Sequence, residues 1–175
     1  MEVASIETAP TELLGDDRLE QLMVERYPDL LRLAFLILRN LPEAEDATQV
    51  ALERAWRSRA QMRSAARAPF WLRRIVVREA VRLRSSPWRV LRSPIQLTEV
   101  EPPGRHPVAP DRAERLDVVR AFERLSVDQR AAVVLHHYLE YPIADVALMV
   151  DAAPETVRSR LRLAMRRLRE ELRDA

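Results

Sequence analysis

YPIADVALMVDAAPETVRSRLRLAMRRLREELR, residues 141–173, decides the fold. Tyr141-Pro142 starts a short helix over 142–150, because the residue before a proline avoids the α region and proline itself suits a first helical turn. Residues 151–153 make a tight turn, and Pro154 opens a last helix over about 154–173. Along that helix Val157, Leu161, Ala164, Leu168 and Leu172 recur at spacings of 4, 3, 4 and 4, one continuous apolar stripe. Arg158, Ser159, Arg162 and Arg166 fall on other faces. A short helix, a three-residue turn and a long basic helix with one buried face form the pattern of a helix-turn-helix, and DNA contact is the favoured reading of its second helix.

Upstream, Ser126-Val127-Asp128-Gln129 is a capping box: the Ser126 hydroxyl can accept from an early helix amide while Gln129 reaches back. It starts a helix running to about Tyr138, and Leu116, Val119, Ala121, Phe122 and Leu125 outline another before it. These elements make a C-terminal block, 111–175. The preceding stretch, 86–110, holds six prolines (87, 94, 102, 103, 107 and 110) and Gly104, which excludes a helix or a central strand and makes it a linker. Its first half keeps Trp88, Val90, Leu91, Ile95 and Leu97, fit either for a partner's groove or for patching against the first block.

The first block spans 18–85. An amphipathic helix begins with Leu19, Leu22, Met23 and Arg26, and Tyr27-Pro28 is expected to interrupt it and start a second helix over 28–39. Leu41-Pro42 repeats the device for a helix over 43–58, with Ala47, Val50, Ala51, Arg54 and Ala55 on one side and Glu45, Asp46, Gln49 and Glu53 on the other. A polar, alanine-rich connection (61–68) precedes a helix from Pro69 to about Ser85, its buried candidates being Phe70, Leu72, Ile75, Val76, Ala80 and Leu83. The acidic stretch 1–17 reads as a flexible N-terminus without the basic start and apolar core of a secretory signal. The fold class is therefore all-α: two small helical domains joined by a proline-rich linker.

Composition excludes many activities. The 175 residues contain no cysteine, so disulfides, thiolate zinc sites and cysteine nucleophiles are out. Two glycines, Gly15 and Gly104, leave no phosphate-binding loop and no dinucleotide fingerprint. The longest apolar runs fall far short of the roughly 20 residues that span a bilayer, so no membrane insertion and a cytoplasmic location are expected. His136-His137 with Glu140 lacks the spacing and third ligand of a metal site. Paired acids such as Glu45-Asp46 lack any accompanying histidine or nucleophile. No enzyme and no cofactor are expected. Trp56, Phe70 and Trp71, beside apolar neighbours, read as core rather than as base-stacking platforms.

All 29 basic residues are arginine, and the net charge is only +2. Divided along the chain, that charge is uneven: −5 over 1–60, +8 over 61–92, −4 over 93–153 and +3 over 154–175. Two basic segments separated by acidic ones suit contact with a polyanion at two places.

Several motifs together carry a resemblance. Ala44-Glu45-Asp46-Ala47-Thr48-Gln49, then Arg54-Ala55-Trp56, then Phe70-Trp71-Leu72-Arg73-Arg74-Ile75 resemble region 2 of the extracytoplasmic-function (ECF) sigma factors of the sigma-70 family. Leu125-Ser126-Val127-Asp128-Gln129-Arg130, Val134-Leu135-His136-His137-Tyr138, Asp145-Val146-Ala147 and Pro154-Glu155-Thr156-Val157-Arg158-Ser159-Arg160-Leu161 resemble their region 4. The similarity covers about 18–85 and 112–173.

The resemblance implies an alternative sigma factor that binds core RNA polymerase and directs promoter-specific initiation. Region 2 would dock on the clamp helices of the largest subunit and open the minus-ten element. Region 4 would rest on the flap of the second-largest subunit and read the minus-thirty-five element. An anti-sigma protein, which commonly holds members inactive, is a further implied partner. Carried over by position, Glu45, Asp46, Gln49 and Glu53 would face polymerase. Arg63, Ser64 and Arg67 would capture an unstacked minus-ten base, and Arg73, Arg74, Arg78, Arg82 and Arg84 would hold phosphates and the opened strand. Thr156 and Arg160 would take phosphates, while Arg158, Ser159 and Arg162 would reach base edges.

This chain departs from the family pattern in places. Arg78 and Arg82 stand where asparagine and aspartate are frequent, Asp151 replaces a turn glycine, Ala153 a capping serine and Glu155 a common glycine. Two other classes stay open at this level: a stand-alone helix-turn-helix regulator, for which no dimer surface is visible, and a helical interaction protein whose arginines are merely solvated.

Overall fold

The computed structural model describes residues 15–62, 64–83 and 112–173. The expectations placed on 1–14, on Arg63, on Arg84 and on the linker fall outside them. The described residues form seven α-helices and no strand: α1 (Asp16–Leu38), α2 (Leu41–Arg57), α3 (Ala68–Leu83), α4 (Arg112–Glu123), α5 (Val127–Val133), α6 (Ile143–Val150) and α7 (Pro154–Glu171).

One continuous α1 replaces the two helices expected around Pro28, which lies inside it. A proline within a helix forfeits a backbone hydrogen bond and crowds the preceding turn, at about 3 kcal/mol. Here the turn faces water, with Val24, Tyr27 and Pro28 exposed, so solvent can serve the freed carbonyl. Leu19, Leu30, Leu33, Ala34, Ile37 and Leu38 meanwhile bury one side of both halves. The helix stops at Arg39, left-handed at φ 57°, whose N–H closes on Phe35 O. Asn40 then caps α2, its Oδ1 accepting from Glu43 N at 3.0 Å. The buried side of α2 is small (Ala44, Ala47, Thr48, Ala51, Ala55), which lets α1 and α3 approach it closely. The expected connection before α3 is tightened into two short 3₁₀ turns, Arg59–Gln61 and Ala65–Arg67. α3 buries Leu72, Val76, Val77 and Ala80 between the other two helices.

In the second block both arms of the capping box form: Ser126 Oγ accepts from Gln129 N at 3.2 Å, and Gln129 Oε1 accepts from Ser126 N at 3.0 Å. The helix expected to reach Tyr138 changes to a π turn over Val134–Tyr138. The chain then turns back, with Tyr141 N donating to Leu135 O and His136 Nδ1–H donating to Tyr141 O at 2.8 Å. α6 ends at Asp151, which takes the left-handed conformation (φ 54°) tolerated by aspartate. α7 starts at Pro154 with no side-chain cap, since Ala153 has none to offer. Val157, Leu161 and Ala164 of the apolar stripe are buried, whereas Leu172 is exposed past the helix end.

The two blocks pack on each other. α3 lies against α6 and α1 against α5, and one buried apolar cluster runs from Leu30 through Val77 and Leu135 to Leu161. At the centre of the junction Arg130, 5% exposed, donates through Nε to Ile37 O at 2.7 Å, satisfying one of the carbonyls that the end of α1 leaves open. Arg39 meets Glu123 at 3.3 Å beside it.

Candidate nucleic-acid interface

The first half of α7 offers a polar, cationic surface because its apolar stripe is spent on α5 and α6. Thr156, Arg158 and Arg162 are exposed and Ser159 is partly so. Arg160 points the other way: its Nη2 lies 3.2 Å from Asp128 Oδ1, and only a quarter of the side chain reaches solvent. That ion pair fixes the helix against the start of α5. Arg158 Nη1 and Arg162 Nη2 both donate to Glu155, at 3.1 Å to Oε2 and 3.3 Å to Oε1. These hydrogen bonds, Arg158 first and Arg162 second, hold the Glu155 carboxyl below its usual range.

A groove of about 630 Å³ continues along α7 between Arg158, Arg162, Arg166 and Arg169 on one side and His136 and His137 on the other. Arg166 and Arg169 extend the cationic surface beyond the five residues picked out by motif, and their helical spacing from Arg162 was the available signal.

The arginines of α3 are engaged differently. Arg73 Nη1 donates to Tyr141 Oη at 3.0 Å, and Arg78 Nη2 donates to Leu148 O at 3.2 Å and Asp151 Oδ1 at 2.9 Å. Arg74 and Arg78 line a cleft of about 530 Å³ whose far wall is Leu148, the 151–153 turn and Pro154. The structure thus brings these three arginines against the helix-turn-helix. Arg82 turns back to Glu79 at 3.1 Å, and Arg54 reaches the same carboxylate. Glu79, 4% exposed, is a structural acid within an otherwise basic segment, and its isolation in sequence is the mark that could have singled it out. Arg67 is exposed and Ser64 partly so, at the entry to α3. Trp56, expected in the core, is 37% exposed and carries the Arg59 guanidinium 4.7 Å above its ring, whereas Phe70 and Trp71 pack against the core. A residue near a helix end meets its neighbours only through tertiary placement, which local apolar context does not report.

On the opposite side of the first block Glu45, Asp46, Gln49 and Glu53 share the outer face of α2, and Glu45, Gln49 and Glu53 border a shallow depression with Tyr27 and Leu52. No group of side chains suited to a metal ion occurs among the described residues. No helix among them is long and apolar enough to cross a membrane.

Comparison with known proteins places both blocks. Residues 22–90 match the family described as Sigma-70 region 2, and residues 115–168 match Sigma-70, region 4. The chain is 39% identical over 154 residues to the ECF RNA polymerase sigma factor SigM of Mycobacterium tuberculosis, covering 85% of this chain and 74% of that protein. It is 30% identical over 162 residues to the RNA polymerase sigma-E factor of Streptomyces coelicolor, covering 87% and 85%. Its fold is shared by the sigma factor RpoE of Bartonella quintana, solved with the anti-sigma factor NepR, at a TM-score of 0.64 and 24% identity over 88% of this chain and 96% of that one.

Proposed function

Because the chain belongs to the ECF sigma factors of the sigma-70 family, alternative sigma factors that direct RNA polymerase to promoters, we propose a division of its surfaces among polymerase and two promoter elements. The first domain, 18–85, takes polymerase on the acidic face Glu45, Asp46, Gln49 and Glu53, and the minus-ten element on Arg63, Ser64, Arg67 and the arginines of α3. The second, 111–175, takes the minus-thirty-five element on α7, with Arg158, Ser159 and Arg162 at base edges. Arg160 serves there by holding the helix to Asp128 rather than by reaching out alone. Family members are in general not enzymes, and this chain acts by binding alone, in the cytoplasm with its polymerase. An anti-sigma protein is a further partner of the same surfaces.

The single observation that carries this reading is the sidedness of α7. Val157, Leu161 and Ala164 are buried, while arginines spaced for one groove of DNA stand exposed on the same helix. The experiment is a titration of the fluorescently labelled full chain with bacterial core RNA polymerase at physiological salt, followed by anisotropy. Saturable binding at nanomolar core is expected. Absence of binding by a chain shown folded by circular dichroism would overturn the reading in favour of a stand-alone regulator.

A further inference from the structure

Glu155 stands at the second position of α7 behind Pro154, which fixes the helix start. Arg158 and Arg162 follow it by three and seven residues, about one and two turns, so all three share a face. One carboxylate bridges both guanidinium groups, one oxygen to each, at 3.1 and 3.3 Å. All three side chains are more than half exposed, so the cluster is not part of the core.

We propose that Glu155 is a specificity-determining residue: an internal competitor that occupies the two base-reading arginines until DNA offers them better acceptors. The proposal rests on the assignment of α7 to the minus-thirty-five element and deepens it. The physical reason lies in what the carboxylate replaces. Two arginines and one glutamate leave a single net positive charge where two would stand, so attraction to phosphates of any sequence is weakened by one charge. A guanine edge presents N7 and O6 together and accepts both prongs of an arginine, which compensates for losing the carboxylate. A phosphate, itself ionised, compensates at least as well, so the discrimination lies between a matched guanine and base edges that present no such pair of acceptors. Glutamate length matters, since the same carboxylate must reach two turns along the helix.

The test uses holoenzyme reconstituted from the full chain and core polymerase, with two probes: a promoter duplex selected from random DNA by the wild-type holoenzyme, and the same duplex scrambled over the minus-thirty-five stretch. Affinities are measured across a salt series for the wild type, Glu155→Gln, Glu155→Asp, Arg158→Ala and Arg162→Ala. For Glu155→Gln the salt slope on the scrambled duplex should steepen by about 0.9, equivalent to roughly fivefold tighter binding at physiological salt. The ratio of selected to scrambled affinity should fall. Glu155→Asp keeps the charge but not the reach, so its salt slope on the scrambled duplex should stay that of the wild type while its ratio of selected to scrambled affinity falls towards that of Glu155→Gln.

An unchanged slope and ratio in Glu155→Gln, with the arginine variants still impaired, would overturn the competitor role alone. A wild-type ratio of selected to scrambled affinity in Glu155→Asp would likewise overturn it, pointing to simple charge repulsion. If Arg158→Ala and Arg162→Ala leave binding to the selected duplex untouched, the reading of α7 falls, and this proposal with it.

Discussion

At the scale of single residues, two acids surrounded by arginines have opposite settings. Glu155 is fully in solvent, and its carboxyl is held low by Arg158 first and Arg162 second. A carboxylate depressed in the folded chain contributes its stabilisation above the ordinary glutamate range and loses it as pH falls through the lowered value. A side-chain NMR titration should therefore place the Glu155 midpoint below that of an unperturbed glutamate. Arg158→Ala and Arg162→Ala should each return it towards normal. Glu79 is the buried counterpart, 4% exposed and shared by Arg54 and Arg82. Breaking a fully buried ion pair costs about 3–5 kcal/mol. Both arginines here are well exposed, so water recovers part of that, and Glu79→Gln should cost about 1–2 kcal/mol, read from the urea midpoint of the full chain.

At the scale of elements, helix ends divide into those the chain secures and those it leaves open. α5 has a complete capping box, so Ser126→Ala should lower stability by about 1 kcal/mol. α7 has none, and Ala153→Ser should raise stability by about 0.5–1 kcal/mol in thermal or urea unfolding if the serine hydroxyl reaches the amides of the first turn. Both features were legible in sequence, because a cap depends on residues three apart. The continuity of α1 through Pro28 was not. Local rules end a helix before proline, and only burial of Leu30, Leu33, Ala34 and Ile37 on the same side as Leu19 overrides them. The π turn at Val134–Tyr138 was illegible for a similar reason: its stabilising contacts run onward to Tyr141, beyond the helix itself.

At the scale of the whole molecule, the two blocks close on each other through Arg73, Arg78 and Arg130. Arg73 and Arg78, proposed above for the minus-ten element, are held by the second block, so under that proposal they are freed only where the junction parts. Arg130→Met removes the donor to Ile37 O and leaves a carbonyl at the end of α1 unsatisfied, at about 1–3 kcal/mol. Combined with Arg78→Ala, it should loosen the junction, while also removing the Arg130 hydrogen bond to Glu123 O at the end of α4. Small-angle scattering of the free chain should then give a larger radius of gyration than the wild type, and an unchanged radius would show that the apolar contacts alone hold the blocks together.

The helical class, the helix-turn-helix, the capping box and the exposed acidic face of α2 were written in residues at most a few turns apart, because periodicity, proline placement and capping act within one element. The same local logic put Arg158 and Arg162 on the open side of α7. Tertiary structure decided what these arginines meet. Arg160 finds Asp128, Arg78 finds Asp151 and Arg130 finds Ile37 O, pairs separated by 32, 73 and 93 residues. A charged side chain carries no local mark of its distant partner, since long flexible arginines accept any acid or carbonyl that packing brings within reach. Which arginines remain exposed is therefore settled by how the helices pack.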